Sequence, residues 1–230
     1  SRGAILTAGA AVLLALGISA AAQSRIWTST ASLWTHAARY APDSSFAQNG
    51  YGYVLLAQGR YAEAEPRFRA AVEIQRDNEK AWENLYEVLR KQNRASDAME
   101  ICRQALQAGM DAGVWHFKLG ILQAERGETE AAIESYRRSV AARPNDAPAH
   151  YNLGLVLTGK GDLGGAEEQY LAALKADPKF NSARLNLAIM YERSGRRAEA
   201  VRILEEALRV DPDYAKARRN LERLRSPGGK

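Results

Sequence analysis

Cysteine and histidine are scarce in this sequence of 230 residues, which has one cysteine and three histidines. A single cysteine excludes an intrachain disulfide. Cys102 stands at an apolar position, which predicts a small packing residue rather than a reactive thiol. The histidines His36, His116 and His150 are too widely separated to predict a metal-ligating set. We therefore expect neither a metal site nor another cofactor.

A catalytic constellation is also lacking. No nucleophile with a matching base and no isolated pair of carboxylates stands out among the many acidic residues. Gly159, Gly161 and Gly164 match the spacing of a dinucleotide-binding loop. That loop must follow a β-strand, whereas these glycines follow a segment with helical periodicity. The sequence therefore predicts no enzyme active site.

Charge is absent from one long stretch near the beginning of the chain. The 22 residues Gly3–Ser24 are uncharged, and as a helix they would extend roughly 33 Å, enough for a bilayer core of about 30 Å. A transmembrane helix is the first interpretation. A signal peptide is the second, because Ala20–Ala22 offers a cleavage site after the apolar core Ile5–Ile18. A buried helix is the third.

What the sequence does contain is a regular spacing of small and bulky residues. An alanine recurs every 34 residues, with a partner four residues after it and a turn residue before it. The alanines are Ala64, Ala98, Ala132, Ala166 and Ala200, the partners are Phe68, Cys102, Tyr136, Tyr170 and Leu204, and the turn residues are Gly59, Asn93, Gly127, Gly161 and Gly195. Helical spacing on both sides of a turn predicts two short helices folded against each other. One such pair cannot bury its apolar face alone, so the copies must stack.

This repeat resembles the tetratricopeptide repeat (TPR) family, whose pattern contains W-x2-L-G-x2-Y, A-x3-F and P. The pattern is matched by Trp82-x2-Leu85, Leu153-Gly154 and Ala64-x3-Phe68. The resemblance implies an all-α fold, a right-handed α-solenoid of helix-turn-helix repeats. Taken with the uncharged segment, the sequence predicts a transmembrane helix or signal peptide at 1–24, a juxtamembrane half-repeat helix at 25–44, five repeats at 45–78, 79–112, 113–146, 147–180 and 181–214, and a capping helix with a tail at 215–230.

The segment between the uncharged stretch and the first repeat contains two tryptophans and a proline. Trp27 and Trp34 follow the apolar segment, and Ala41-Pro42-Asp43 comes next. This arrangement resembles the last membrane helix and extracytoplasmic repeat tail of transmembrane-and-TPR O-mannosyltransferase-like proteins. The resemblance implies that Gly3–Ser24 contacts the lipid bilayer and that the repeats are extracytoplasmic, periplasmic if the source is bacterial. Because the chain begins at Ser1 rather than methionine, we also expect it to be a piece of a longer protein.

Asparagines recur at one position of the first helix in each repeat. The position that points away from the packed side is held by Gly50, Asn84, Lys118, Asn152, Asn186 and Asn220. In the TPR family this side lines a concave groove, and the row resembles the asparagine ladder of the O-GlcNAc transferase TPR domain, which grips peptide backbones. The resemblance implies a peptide-binding groove formed by Asn84, Lys118, Asn152, Asn186 and Asn220, with Ile121, Leu155 and Ile189 beside them.

Two interpretations of this row stay open. Asparagine is a mediocre helix former that packing does not require at this position, which favours a binding role. Its amide offers both a donor and an acceptor, so it can hold a main chain without reading side chains. Alternatively, the asparagines were copied with the repeat and bind nothing. Gly50 and Lys118 interrupt the row.

The basic charge is concentrated at the end of the chain. The net charge is +5, and residues 193–230 contain eleven Lys and Arg against six Asp and Glu, a difference of +5. This end fits an acidic partner, anionic lipid headgroups or a solvated cap. Nucleic-acid binding is not predicted, because no aromatic residues interleave with the basic ones.

These observations predict a membrane-tethered TPR scaffold that binds a protein or peptide partner in a concave groove. One alternative is the non-catalytic tail of a polytopic membrane glycosyltransferase, where the repeats would position acceptor polypeptides. A third interpretation is a secreted periplasmic protein released by cleavage after Ala22.

Overall fold

The computed structural model describes residues 30–226, which contain twelve α-helices and no β-strand. They form two compact units, one ending at Ala108 and the other beginning at Gly109. The first unit contains α1 (Thr30–Tyr40), α2 (Ser45–Ala57), α3 (Tyr61–Ile74), α4 (Glu79–Lys91) and α5 (Ala95–Gln107). The second contains α6 (Ala112–Glu125), α7 (Thr129–Ala142), α8 (Ala147–Lys160), α9 (Leu163–Ala176), α10 (Asn181–Arg193), α11 (Arg197–Val210) and α12 (Ala215–Arg225). The prediction of an all-α fold is confirmed for this part of the chain.

The helices are paired. The first helices of the pairs are α2, α4, α6, α8 and α10, the second helices are α3, α5, α7, α9 and α11, and α12 caps the second unit. Gly161 ends α8 in the left-handed backbone region with φ 88°, a conformation that glycine adopts without steric cost. Asn93 takes the same place between α4 and α5 with φ 57°, which asparagine tolerates better than most residues. The predicted turn positions are therefore confirmed.

Polar side chains fix where several first helices begin. The Asp146 carboxylate accepts a hydrogen bond from the backbone N–H of Ala149 at 3.0 Å. Ser44, Asn78 and Asp111 cap α2, α4 and α6 in the same way. Each cap satisfies an N–H group that has no partner within its helix, which contributes about 1 kcal/mol to helix stability.

The core of each repeat pairs one small residue with one large one. Gly154 on α8 lies under Tyr170 on α9, and a Cβ on this glycine would lie 2.8 Å from the tyrosine ring. In the second repeat the sizes are exchanged, because the large residue is Tyr86 and the small one is Cys102, both buried. The volume between the paired helices is thus filled in both cases. Cys102 is the small packing residue that the sequence predicts.

Ion pairs connect each repeat to the next within a unit. Arg196, at the start of α11, contacts Glu167 on α9 at 2.5 Å, and Arg94 contacts Glu65 at 2.5 Å in the first unit. The hydrogen bond from Arg196, together with one from the Tyr191 hydroxyl, holds the pKa of Glu167 below its ordinary value. These carboxylates stay charged at neutral pH, so the pairs tie neighbouring repeats together there.

A further position on each first helix packs against the loop before it. The indole Nε1 of Trp82 donates to the carbonyl oxygen of Arg76 at 2.8 Å. Two repeats later, the ring nitrogens of His150 lie 3.0 Å from the Pro144 carbonyl oxygen and 2.8 Å from the Gln169 side-chain oxygen. His150 is therefore a packing residue that replaces tryptophan.

No helix within residues 30–226 is long and apolar enough to cross a membrane. The predicted transmembrane segment Gly3–Ser24 lies outside the described residues.

Candidate functional site

The first helices lie on the more closely packed side of each unit. Within the first unit α2 contacts α4 directly, and within the second α6 contacts α8 and α8 contacts α10. Successive second helices in the described units make fewer such contacts. We call the exposed side of the first helices, together with the matching side of α12, the first-helix face. Every residue of the predicted asparagine row lies on one of these helices.

An aromatic pocket with a volume of about 400 Å³ opens on this face in the first unit. Its lining residues are Trp34, Phe46, Asn49, Gly50, Tyr53, Lys80, Glu83 and Asn84. Phe46 is 70% exposed and Tyr53 is 58% exposed, so water touches most of both rings. The Trp34 ring meets Phe46 edge-on, with 4.8 Å between the ring centroids. Exposed aromatic side chains around a pocket are typical of surfaces that bind another protein.

Gly50 explains why the asparagine row is interrupted in the first repeat. A Cβ at this position would lie 2.3 Å from the Trp34 ring. Glycine therefore lets Trp34 form the floor of the aromatic pocket. A side chain here would displace the indole.

Two amides lie together in the aromatic pocket. The Asn84 side-chain nitrogen donates to the Asn49 side-chain oxygen at 2.9 Å. Among the described residues, neither the other oxygen nor the other nitrogen of this pair has a hydrogen-bond partner. Whichever way the two amides are oriented, the pair keeps one donor and one acceptor for a ligand, as a peptide group requires. The neighbouring charges of Lys80 and Glu83 neutralise each other at 2.8 Å.

The predicted residues of the second unit lie on four helices of the first-helix face. Leu155 on α8 is 37% exposed. Ile121 on α6 and Ile189 on α10 are half-buried. The Lys118 ammonium lies 5.6 Å from the centre of the Trp115 ring, an arrangement that a cation and an aromatic face favour. The face thus combines apolar side chains with amides.

The asparagines of the row make two kinds of hydrogen bond. Asn186 donates to the Tyr151 hydroxyl of the preceding repeat at 2.9 Å, as Asn84 does to Asn49. Asn152 and Asn220 instead donate to backbone carbonyls four residues earlier on their own helices, at 3.0 and 2.8 Å. Asn84 and Asn186 therefore also join neighbouring repeats. A peptide-binding role for the row stays a prediction.

Sequence reasoning missed Phe46, Asn49 and Tyr151 as members of this face. Asn49 and Tyr151 each stand one residue before a position of the predicted row. Each accepts a hydrogen bond from the row residue of the next repeat, 35 residues later. The missed signal was the residue directly before the row position, which can accept a hydrogen bond in the first repeat (Asn49) and in the fourth (Tyr151).

No group of three metal-ligating side chains occurs in residues 30–226. His116 is half-buried on α6. The pKa of His116 is lowered from its ordinary value, mainly by burial and to a smaller extent by the positive charge of Arg138. A neutral imidazole in a packed position fits a structural role.

Sequence profiles described as tetratricopeptide repeat match the chain over two sets of ranges. One profile matches residues 14–79 and 117–180, and another matches 55–119 and 157–224. The first match begins inside the apolar segment Gly3–Ser24. No curated protein sequence matches the chain.

Solved structures share the fold. YrrB, described as a TPR protein with an unusual peptide-binding site, is 22% identical, with a TM-score of 0.64 over 82% of this chain and 97% of its own. MamA is 25% identical, with a TM-score of 0.64 over 72% of this chain and 96% of its own. PilF of Pseudomonas aeruginosa is 20% identical, with a TM-score of 0.61 over 75% of this chain and 79% of its own. At these identities the likeness concerns the fold alone.

Proposed function

The chain belongs to the tetratricopeptide repeat family, and we propose that it is a protein-interaction scaffold that holds an extended peptide on its first-helix face. Stacked repeats form an extended surface of helices on which a partner protein can bind non-covalently. The aromatic pocket of the first unit is the observation that carries the proposal.

The pocket offers the two things that a peptide segment needs. The exposed rings of Phe46 and Tyr53 can cover an apolar side chain of the ligand. The Asn49–Asn84 pair offers one donor and one acceptor for the ligand's backbone. Because every residue except proline carries one backbone N–H and one C=O, the pair matches any non-proline residue of an extended chain.

Similar structures support the proposal. YrrB is described as having a peptide-binding site, and it shares the fold. In this chain we propose that the row Asn84, Lys118, Asn152, Asn186 and Asn220 contacts the peptide backbone. Ile121, Leu155 and Ile189 would contact apolar side chains.

The proposal is tested with a peptide selected from a random display library on the immobilised full chain. Tyr53→Ala is expected to weaken its binding by about tenfold, because an exposed aromatic anchor contributes roughly 1–2 kcal/mol. The matched control is Tyr40→Ala, since Tyr40 is 70% exposed on α1 and does not line the pocket. Equal losses for the two variants, or none for either, would place binding elsewhere.

We further propose that Gly3–Ser24 tethers the repeats to a membrane, with the repeats on the extracytoplasmic side. The absence of charge over a bilayer's length supports this proposal. The profile match that begins at residue 14 supports the competing interpretation, in which the end of this segment belongs to a repeat. The junction around Trp27 and Trp34 supports a second candidate function, the non-catalytic tail of a membrane glycosyltransferase.

The tether has a direct test. The full chain is expected to stay with membranes through a high-salt wash, because apolar insertion is not screened by salt. A chain beginning at Pro42 is expected to be soluble, provided that circular dichroism shows a cooperative helical melt. A full chain that leaves the membrane in high salt, or a shortened chain that stays bound, would rule the tether out.

A further inference from the structure

The first-helix face of the second unit changes character at its last helix. Two positions on α6, α8 and α10 are apolar, and on α12 they are both basic. The first position holds Phe117, Tyr151, Leu185 and then Arg219, and the second holds Ile121, Leu155, Ile189 and then Arg223. Leu155 is exposed and the other five apolar side chains are half-buried, so part of each is open to a ligand. The face therefore offers apolar surface along three helices and basic side chains on the fourth.

α12 carries a strong excess of positive charge. It has five basic residues and one acidic residue, Glu222. Glu222 stands at the position that Ala188 and Gly154 hold in the preceding first helices, the position that faces the second helix of the pair. The carboxylate is thus placed away from the first-helix face, and the basic side chains dominate its end.

Three of the five basic side chains on α12 are already engaged. Arg223 contacts Glu192 at 2.5 Å, and Arg225 contacts Glu205 at 2.5 Å. Arg218 donates to the Pro212 carbonyl at 2.6 Å. The pairing with Arg223 also neutralises Glu192, the carboxylate nearest this end of α10.

Lys216 and Arg219 are the uncommitted charges. Both are exposed, and neither has an ion-pair partner within residues 30–226. Arg219 occupies on α12 the position that Tyr151 and Leu185 occupy on α8 and α10. Its guanidinium therefore follows these apolar side chains along the first-helix face. Two unpaired cations at the end of an apolar strip complement a ligand with apolar and acidic portions.

We propose that the peptide held by the second unit places apolar side chains over α6, α8 and α10 and acidic residues over α12. The inference rests on the proposed peptide-binding function and adds the chemistry and direction of the ligand. Lys216 and Arg219 supply the charge that recognises the acidic portion. Arginine adds a planar donor fork that matches a carboxylate.

A peptide fits this face better than a lipid surface does. The cations continue a row that is flanked by the amides of Asn152 and Asn186, and amides pair with a peptide backbone. Anionic headgroups would use the charges of α12 and leave the apolar strip and its amides unused. A single ligand can contact both the basic side chains of α12 and the apolar side chains of α6, α8 and α10 only if it is a peptide chain.

The test uses three synthetic versions of one library-selected peptide whose apolar portion is held constant. The remaining portion carries aspartate and glutamate, or asparagine and glutamine, or lysine. Affinity for the full chain is measured by fluorescence polarisation at about 0.05 M and about 0.5 M salt. We expect the acidic version to bind about tenfold more tightly than the neutral one at low salt, and to lose most of that advantage at high salt.

Charge-reversal variants test whether Lys216 and Arg219 cause the preference for the acidic peptide. Lys216→Glu with Arg219→Glu is expected to abolish the preference for the acidic peptide and to leave the neutral peptide nearly unchanged. The matched control is Lys175→Glu with Arg202→Glu, which makes the same change of charge at exposed positions on α9 and α11. Both double variants are first checked for an unchanged melting temperature.

Each outcome decides something. Equal affinity for the acidic and neutral peptides overturns the inference and leaves peptide binding intact. Equal losses in both double variants overturn it too, because net charge alone would then be responsible. Binding to phosphatidylserine vesicles that is lost only in the α12 variant, without acidic-peptide preference, would make α12 a membrane contact. If no peptide binds at all, the proposed function itself fails.

Discussion

Tyr136→Ala is expected to lower the free energy of unfolding by about 3–5 kcal/mol, as for other buried aromatic residues. Tyr136 is 2% exposed and its ring covers Gly120. Alanine would leave a cavity that glycine on the facing helix cannot fill. The loss would spread along the second unit, because stacked repeats derive their stability from contact with their neighbours. Urea unfolding followed by circular dichroism measures it.

Tyr136→Phe is the matched control. The hydroxyl has no hydrogen-bond partner among residues 30–226, so its removal is expected to cost well under 1 kcal/mol. Burial raises the pKa of Tyr136 to about 12, which agrees with a ring held in an apolar environment. If Tyr136→Ala cost less than about 1 kcal/mol, this side chain would not be part of the core.

Replacing Asn152, Asn186 and Asn220 together by alanine is expected to weaken peptide binding on the order of a hundredfold. Each lost amide contact costs roughly 0.5–1.5 kcal/mol, and three of them sum to a few kcal/mol. Calorimetric titration of a library-selected peptide measures the change. Unchanged affinity would leave the row as a relic of repeat duplication.

Stability must be measured on the same triple variant. Asn186→Ala also removes the hydrogen bond to the Tyr151 hydroxyl, which costs about 0.5–1.5 kcal/mol. Alanine is the better helix former at all three positions and returns a similar amount. The net change is therefore expected to stay under about 1 kcal/mol. Tyr151→Phe, which removes the bond between repeats and keeps all three amides, should lower stability slightly and preserve affinity.

The repeat structure was predictable because it depends on local spacing. Ala166, Tyr170 and Gly161 specify a helix, its packed side and its turn within ten residues of one another. The period then copies that geometry along the chain, so the helices and the turn residues follow from one repeat. In the second repeat, Tyr86 replaces a glycine and Cys102 replaces a tyrosine. This exchange of sizes could also have been predicted from the aligned repeats.

The details of the candidate site were less predictable. Whether Asn84 and Asn186 point into solvent or join a neighbour depends on the separation of successive first helices. Sequence periodicity gives the direction of a side chain but not that separation. Likewise, the aromatic pocket exists because Trp34 of α1 lies over Gly50 of α2, a contact between the first helix pair and the helix before it. The charge change on α12 was visible in the sequence, but its alignment with the apolar strip required the repeat register.

The central claim is that the first-helix face binds peptide backbones, and the side-chain amide resonances of its asparagines test it most directly. On titration with a library-selected peptide, nuclear magnetic resonance should show a shift of the NH2 signals of Asn84 if the peptide binds the first unit, and of Asn152 and Asn186 if it binds the second. The signals of Asn78, which caps α4, and of Asn145, in the loop before α8, should stay in place. Saturable binding that shifts Asn78 or Asn145 and leaves the three row asparagines unmoved would contradict the account.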